Sequence, residues 1–271
     1  MIKCGNWPVG VCSWSLQQDI SQVAQSLKKL DIEHIHLALA PALGKKGEDY
    51  LAAVCRQNWT ISSTMMAFAQ EDYSSLESIK LTGGVRPDEY WPENKRLTVE
   101  AIKLTARLGV KFLSMHAGFI DHSDTEYSKK FNHRIKTLAD AAGENQIMLL
   151  LETGQETAAE LREFLEESSH PALGVNFDPA NMILYDKGDP LEAVRILAPW
   201  VKHIHIKDAL RTKTPGTWGR EVPWGDGEVG AQIFLPTLRK IGYEGVLAIE
   251  REAGDDRLGD ITLAVQRLKK Y

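Results

Sequence analysis

The chain has 271 residues, 43% hydrophobic and 25% charged, with a formal net charge of −5. That length is close to the roughly 250 residues of an eight-fold (β/α) barrel, and the composition is that of a globular protein with a sizeable core. The acidic balance weighs against a nucleic-acid partner, whose phosphates call for a basic surface, and no window approaches the ~20 apolar residues of a membrane span.

From the N-terminus, MIKCGNWPVGVC lacks the charged start and apolar run of a secretory signal. Cys4, Cys12 and Cys55 form an odd set without a CxxC, which fits a reducing cytoplasm and neither a disulfide framework nor a thiolate zinc site. Strand patterns follow in order at 8–14, 34–39, 59–66, 111–116, 147–152, 172–178, 201–208 and 245–250. Between them, helical spacing recurs in ISQVAQSLKKL, RLTVEAIKLTARLG, FNHRIKTLADAAG, ELREFLEES, DPLEAVRILAPW and IFLPTLRKIG, and RLGDITLAVQRLKK closes the chain. Gly109, Gly143 and Gly242 each stand where a helix C-terminal cap is expected.

Strands alternating with helices imply a parallel sheet with right-handed crossovers. An open doubly wound sheet usually carries a glycine-rich phosphate loop after its first strand, and here that loop reads SWSLQQD. The expectation is therefore α/β, a single (β/α)8 barrel domain over 1–271. Two connections are long, about 67–94 and 209–230, as functional lids often are.

Catalytic groups of such barrels come from the C-terminal ends of the strands. Four successive strands end in a metal-competent side chain: IMLLLE at Glu152, GVNFD at Asp178, VKHIH at His205 and VLAIE at Glu250. A carboxylate after an apolar strand is more often a helix N-cap, but four in succession point to a shared ion. Three carboxylates and an imidazole suit one divalent ion, with Mn²⁺, Mg²⁺, Co²⁺ and Zn²⁺ all admissible. In VKHIHIKD (201–208), strand alternation puts His203, His205 and Lys207 on one face, the barrel interior. The deeper His203 reads as a hydrogen-bonded interior residue, His205 as the ligand, and Lys207 and Asp208 as residues of the mouth. Lys207 could bind an anionic group or pair with Asp208 or Glu250. The HIH at 34–36 has no carboxylate at its strand end, so His34 and His36 read as packing or pocket residues rather than metal ligands. Trp14, Trp218, Trp224 and His116 are weaker candidates for substrate contact, since aromatic faces stack on sugar rings but also simply pack.

The succession LLLETGQ, GVNFDPAN, HIHIKDALR, LAIERE resembles the xylose isomerase-like barrels, which include ketose 3-epimerases, inosose dehydratases and type IV apurinic endonucleases. The resemblance implies that Glu152, Asp178, His205 and Glu250 bind one metal, Mn²⁺ foremost, and that Glu152 and Glu250 act as acid and base. It places Arg211, six residues after the metal histidine, at a substrate-binding position. It also marks departures. Asn181 stands where the epimerases have histidine, and Ala158 where they have a second glutamate, with Gln155 and Glu156 nearby. Of the endonucleases' extra histidines the chain shares His116 but lacks an Asp-x-His pair in 217–230.

The implied activity is a metal-dependent ketose or cyclitol isomerase or epimerase working through a cis-enediolate. Its competitors are a dehydratase using the same site, an apurinic endonuclease-like phosphodiesterase and a non-catalytic sugar-binding barrel. The expected partner is a small unphosphorylated carbohydrate, and homo-oligomers are common in the family. No exposed stripe in the sequence decides that point.

Overall fold

The computed structural model describes residues 2–271. In chain order its strands are β1 (Lys3–Cys4), β2 (Trp7–Cys12), β3 (His34–Ala38), β4 (Thr60–Met66), β5 (Phe112–Met115), β6 (Met148–Glu152), β7 (Leu173–Phe177), β8 (Val201–Ile206), β9 (Asp208–Leu210), β10 (Arg220–Val222) and β11 (Leu247–Ile249). Strands β2 to β8 and β11 pair in parallel around a ring, and β11 closes it by pairing Leu247–Ile249 with Val9–Val11 of β2. The short β1 lies antiparallel on β2. This is the closed (β/α)8 barrel expected from the alternating patterns, with all eight barrel strands in the anticipated order.

The helices form where sequence chemistry satisfies their free ends. Asp19 and Gln22 make a capping box at helix Ile20–Leu30, and Thr157 and Glu160 make another at Ala158–Ser168. Gly109 and Gly242 take φ of +70° and +71° just past their helices, as the C-terminal pattern predicts. Gly143 does not. It lies inside helix Thr125–Glu144, and Gln146, at φ +59°, makes the turn instead. A Cβ at that point would stand 3.5 Å from Ala172, an ordinary contact, so packing does not call for glycine there.

Three helices lack a clear helical pattern in the sequence: Gly47–Cys55, Leu76–Thr82 and Pro179–Leu184. All are short, from 6 to 9 residues, so they show too few turns for a period to stand out. The long connections are structured. The first holds Leu76–Thr82, and the second folds back as the antiparallel pair β9–β10. The strand expected over 201–208 accordingly breaks at Lys207. Asp208 opens β9, where its carboxylate accepts backbone N–H bonds from Ala209, Gly225, Gly227 and Val229 at 2.9–3.1 Å. Residue 227 must be glycine, because a Cβ there would stand 2.2 Å from Asp208 Oδ1.

The apolar core lies between the barrel and its helices, with Ile35, Leu37, Leu113, Val175, Ile204 and Ile206 fully buried. Inside the ring the filling is polar. His203 Nδ1 lies 2.9 Å from Asn176 Oδ1 and its Nε2 3.0 Å from Ser62 Oγ, so both ring nitrogens are partnered. That is the interior role read from its strand position. His36 Nδ1 sits 3.0 Å from His205 Nε2. Among the described residues no helix is long and apolar enough to cross a membrane.

Candidate metal and active site

Strand ends β6, β7, β8 and β11 deliver Glu152, Asp178, His205 and Glu250 to one point. Each offers a ligand atom, all four atoms lie within 4.8 Å of one another, and all four residues are buried. His205 Nδ1 stands 2.9 Å from a Glu152 oxygen, 3.3 Å from Glu250 Oε2 and 3.4 Å from Asp178 Oδ2. Yet Nδ1 makes no hydrogen bond of acceptable geometry, and Asp178 Oδ2 and Glu152 Oε2 are likewise unpartnered. Buried polar atoms are rarely left so. Atoms that converge on a common centre rather than on each other have the arrangement of ligands around a cation, and the oxygen-rich, single-imidazole set fits a divalent ion.

Asp178 divides its two oxygens between separate tasks. Asp178 Oδ1 accepts 2.9 Å from Asn181 N and so caps helix Pro179–Leu184, while Oδ2 faces the cluster. The N-cap and ligand roles, alternatives in the sequence, coexist on one side chain. Thr153 ties the two strand ends together, donating to Asp178 O at 3.1 Å and accepting from Asp178 N at 2.9 Å. Gly154, at φ +134°, lets the chain turn away where a Cβ would meet Asn181 at 2.5 Å. Glu250 Oε1 accepts from Trp14 Nε1 at 2.8 Å, and Oε2 accepts from Lys207 Nζ at 2.8 Å. Glu152 lies 3.0 Å from His116 Nε2.

These contacts shape the charges. Burial works to raise the Asp178 pKa, but Lys207 and His205 outweigh it and hold the carboxyl down at about 2. Glu250 is lowered in the same way, by His205 and Lys207 against burial. Burial works to lower the pKa of His116, and the Glu152 and Glu71 carboxylates reverse the direction. A second grouping, Cys12, His36 and His205, sits deeper. It shares His205 with the first, and burial pushes the Cys12 thiol up to about 12, which disfavours the thiolate a metal needs.

A cavity of about 740 Å³ opens above the cluster. Its apolar walls include Trp14, Met65, Phe68, Tyr185 and Trp218, and Glu71, Tyr73, His116, Asn181, Lys207, Glu221 and Glu252 add polar groups. The structure thus brings Trp14, His116, Asn181 and Lys207 to the cavity together with Glu250 of the cluster. Lys207 is buried and bonded to Glu250, to Glu252 at 2.6 Å and to Asn181 Oδ1 at 3.3 Å, and not to Asp208. Two further candidates lie outside the lining. Gln155 is buried within hydrogen-bonding reach of Tyr185. Arg211 turns to the outer side of β9, with Nη1 2.5 Å from Asp186 and Nη2 3.0 Å from Gly188 O. Arg211 is singled out by its position in the family resemblance, and here it follows the break at Lys207, just after β9 of the short strand pair beyond the barrel strand. Trp218 reaches the cavity, whereas Trp224 packs on Phe234 in the core.

Glu71, Tyr73, Tyr185, Glu221 and Glu252 were not legible as cavity residues. They sit in loops, at the end of a short helix and on the three-residue strand β10, where no period assigns a facing. Glu252 alone had a usable signal, two positions past Glu250 in LAIERE.

A closed (β/α)8 barrel whose rim gathers three carboxylates and an imidazole under an aromatic-walled cavity is the class that fold and site define. The chain belongs to the xylose isomerase-like TIM barrel family, whose pattern it matches over residues 17–271. Among solved structures, a xylose isomerase domain protein from Planctomyces limnophilus superposes with a TM-score of 0.88 at 29% identity, covering 98% of this chain and 96% of that one. Among curated proteins, the putative L-ribulose-5-phosphate 3-epimerase SgbU of Escherichia coli (strain K12) is 25% identical over 177 residues, 62% of this chain and 60% of that protein. The 3-dehydroshikimate dehydratase of Bacillus anthracis is 30% identical over 96 residues, 34% of this chain and 33% of that protein. The matched stretches span less than two thirds of either curated relative.

Proposed function

We propose that the protein is a divalent-metal-dependent isomerase or epimerase of a ketose or cyclitol, working by proton transfer next to a carbonyl. The observation that carries this reading is the convergence of His205 Nδ1 with three carboxylates without hydrogen-bond geometry. Glu152, Asp178, His205 and Glu250 would hold the ion, Mn²⁺ first among Mg²⁺, Co²⁺ and Zn²⁺. A bound divalent ion polarises a carbonyl oxygen and makes the neighbouring C–H more acidic.

The residues supply the rest. Glu152 and Glu250 reach the site from strands separated by β7 and β8, so two carboxylates border one substrate carbon from different directions. One takes the proton and the other returns one. Their neighbours differ: Glu250 is pinned between Trp14 and Lys207, whereas Glu152 leans on His116, which can exchange a proton with it. Return of the proton to the same carbon inverts it, and return to the adjacent carbon interconverts aldose and ketose. The aromatic walls shield the reacting carbon from bulk water.

Likeness to a dehydratase favours a second reading, in which a β-hydroxyl leaves from the same carbanion. Both readings are tested by incubating ketoses and inososes with Mn²⁺-loaded protein in deuterium oxide and following the substrates by NMR. Deuterium entering a stable product supports the isomerase. Loss of one water supports the dehydratase, and neither, across the panel, overturns both.

A further inference from the structure

The cavity has a charge pattern that bears on which sugars it can hold. Lys207 is the one lysine or arginine among its lining residues. That ammonium is already occupied, bonded to Glu250 at 2.8 Å and Glu252 at 2.6 Å, with Asp178 at 3.6 Å. Arg251 lies close by, but its Nη1 is on Glu221 at 2.6 Å and its Nε on Asp260 at 2.8 Å. Arg211 is held by Asp186 on the outer side of β9. His116, the other group of the lining that can carry a positive charge, faces Glu152 at 3.0 Å, so each such group already has a carboxylate partner.

The same walls present carboxylates. Glu252 is half exposed at the rim, with its side chain 51% accessible. Glu221 lines the cavity, its carboxylate accepting from Glu252 N at 3.0 Å. Glu71 faces it from the first long connection, its oxygens accepting from Gly84 N at 3.0 Å and Phe68 N at 3.3 Å. In formal charge, a divalent ion, Lys207 and a protonated His116 supply four positive charges against the five carboxylates Glu71, Glu152, Asp178, Glu250 and Glu252, with Glu221 balanced by Arg251. A phosphate or carboxylate brought in would meet like charge in a partly desolvated site, a juxtaposition that costs several kcal/mol. The rest of the wall is aromatic, with Trp14, Phe68, Tyr73, Tyr185 and Trp218, and offers flat faces to the C–H side of a neutral ring.

We infer that the substrate is an uncharged sugar, carrying neither phosphate nor carboxylate, and that Glu252, by holding Lys207, is a specificity-determining residue of this site. The inference rests on the isomerase reading above for the placement of the reacting carbon. It separates this chain from the relative named for a sugar phosphate.

Isothermal titration of the Mn²⁺-loaded full chain with D-fructose, D-tagatose, D-psicose and L-ribulose, each beside its terminal phosphate ester, tests it. The expected result is binding of at least one neutral sugar, with its phosphate at least about tenfold weaker. In Glu252→Gln the gap should narrow while the neutral sugar still binds. Tighter binding of the phosphate in any pair overturns the inference, as does binding by no neutral member or an unchanged gap in Glu252→Gln. A neutral sugar that binds but exchanges no deuterium overturns the isomerase reading and leaves the substrate class standing.

Discussion

His203 and His205 lie two residues apart on one strand, on the same face, both buried, and they meet opposite environments. His203 has both nitrogens partnered by neutral groups, Asn176 and Ser62, and burial holds its pKa well below the ordinary value. His205 has one nitrogen on His36, while the other faces three carboxylates without hydrogen-bond geometry, and its pKa is driven well above the ordinary value. Burial acts downward on both rings, and at His205 the Glu250 carboxylate leads the groups that overcome it. A satisfied interior layer therefore sits directly beneath an unsatisfied one. The lower layer belongs to the barrel, and the upper one gathers the donor set of a candidate cation site.

The comparison breaks most visibly at the glutamates. Glu250→Gln is nearly isosteric, keeps an acceptor for only one of Trp14 and Lys207, and removes the base, so deuterium exchange should fall by roughly 10²–10⁴-fold with the fold intact by circular dichroism. A smaller fall would mean that Glu250 only binds. A third buried ionisable group sharpens the contrast. Burial raises Glu156 to about 8. The folded state holds that proton while the unfolded chain releases it near 4.5, so stability falls as pH rises between those values and levels off above 8. Glu156→Gln should accordingly stabilise the protein by about 3 kcal/mol at pH 7, with the gain vanishing below about pH 4, in urea melts at the two pH values. In the lower layer, His203→Phe leaves Asn176 Oδ1 and Ser62 Oγ without their partner. It should cost about 1–3 kcal/mol of stability while the metal content per chain stays unchanged. Asp178→Asn retains the helix cap but removes the carboxylate that Lys207 and His205 hold down at about 2, so the metal-free protein should lose about 2 kcal/mol at pH 7 and metal affinity should drop.

Much of this architecture was legible because period-2 and helical spacing survive in long, buried elements. Strand order, barrel closure and the four strand-end side chains follow from position alone: an inward residue at the last turn of a barrel strand has nowhere else to point. His203 was separable from His205 by depth along the strand. What escaped were groups whose direction depends on breaks. The chain turns at Lys207, and Arg211 points away from the cavity instead of into it. Glu71 and Tyr73 reach the cavity from a connection whose one helix is 7 residues long, too short to set a facing from sequence. Gly143 was misplaced because a glycine inside a helix and a capping glycine after it look alike in one sequence.

The most direct test is the metal content of purified protein after saturation with Mn²⁺ and desalting, measured by mass spectrometry beside His205→Ala and His203→Phe. One ion per chain in the parent and in His203→Phe, and none in His205→Ala, is the predicted outcome. An ion retained by His205→Ala, or none bound by the parent, would contradict the reading of the upper layer as a metal site.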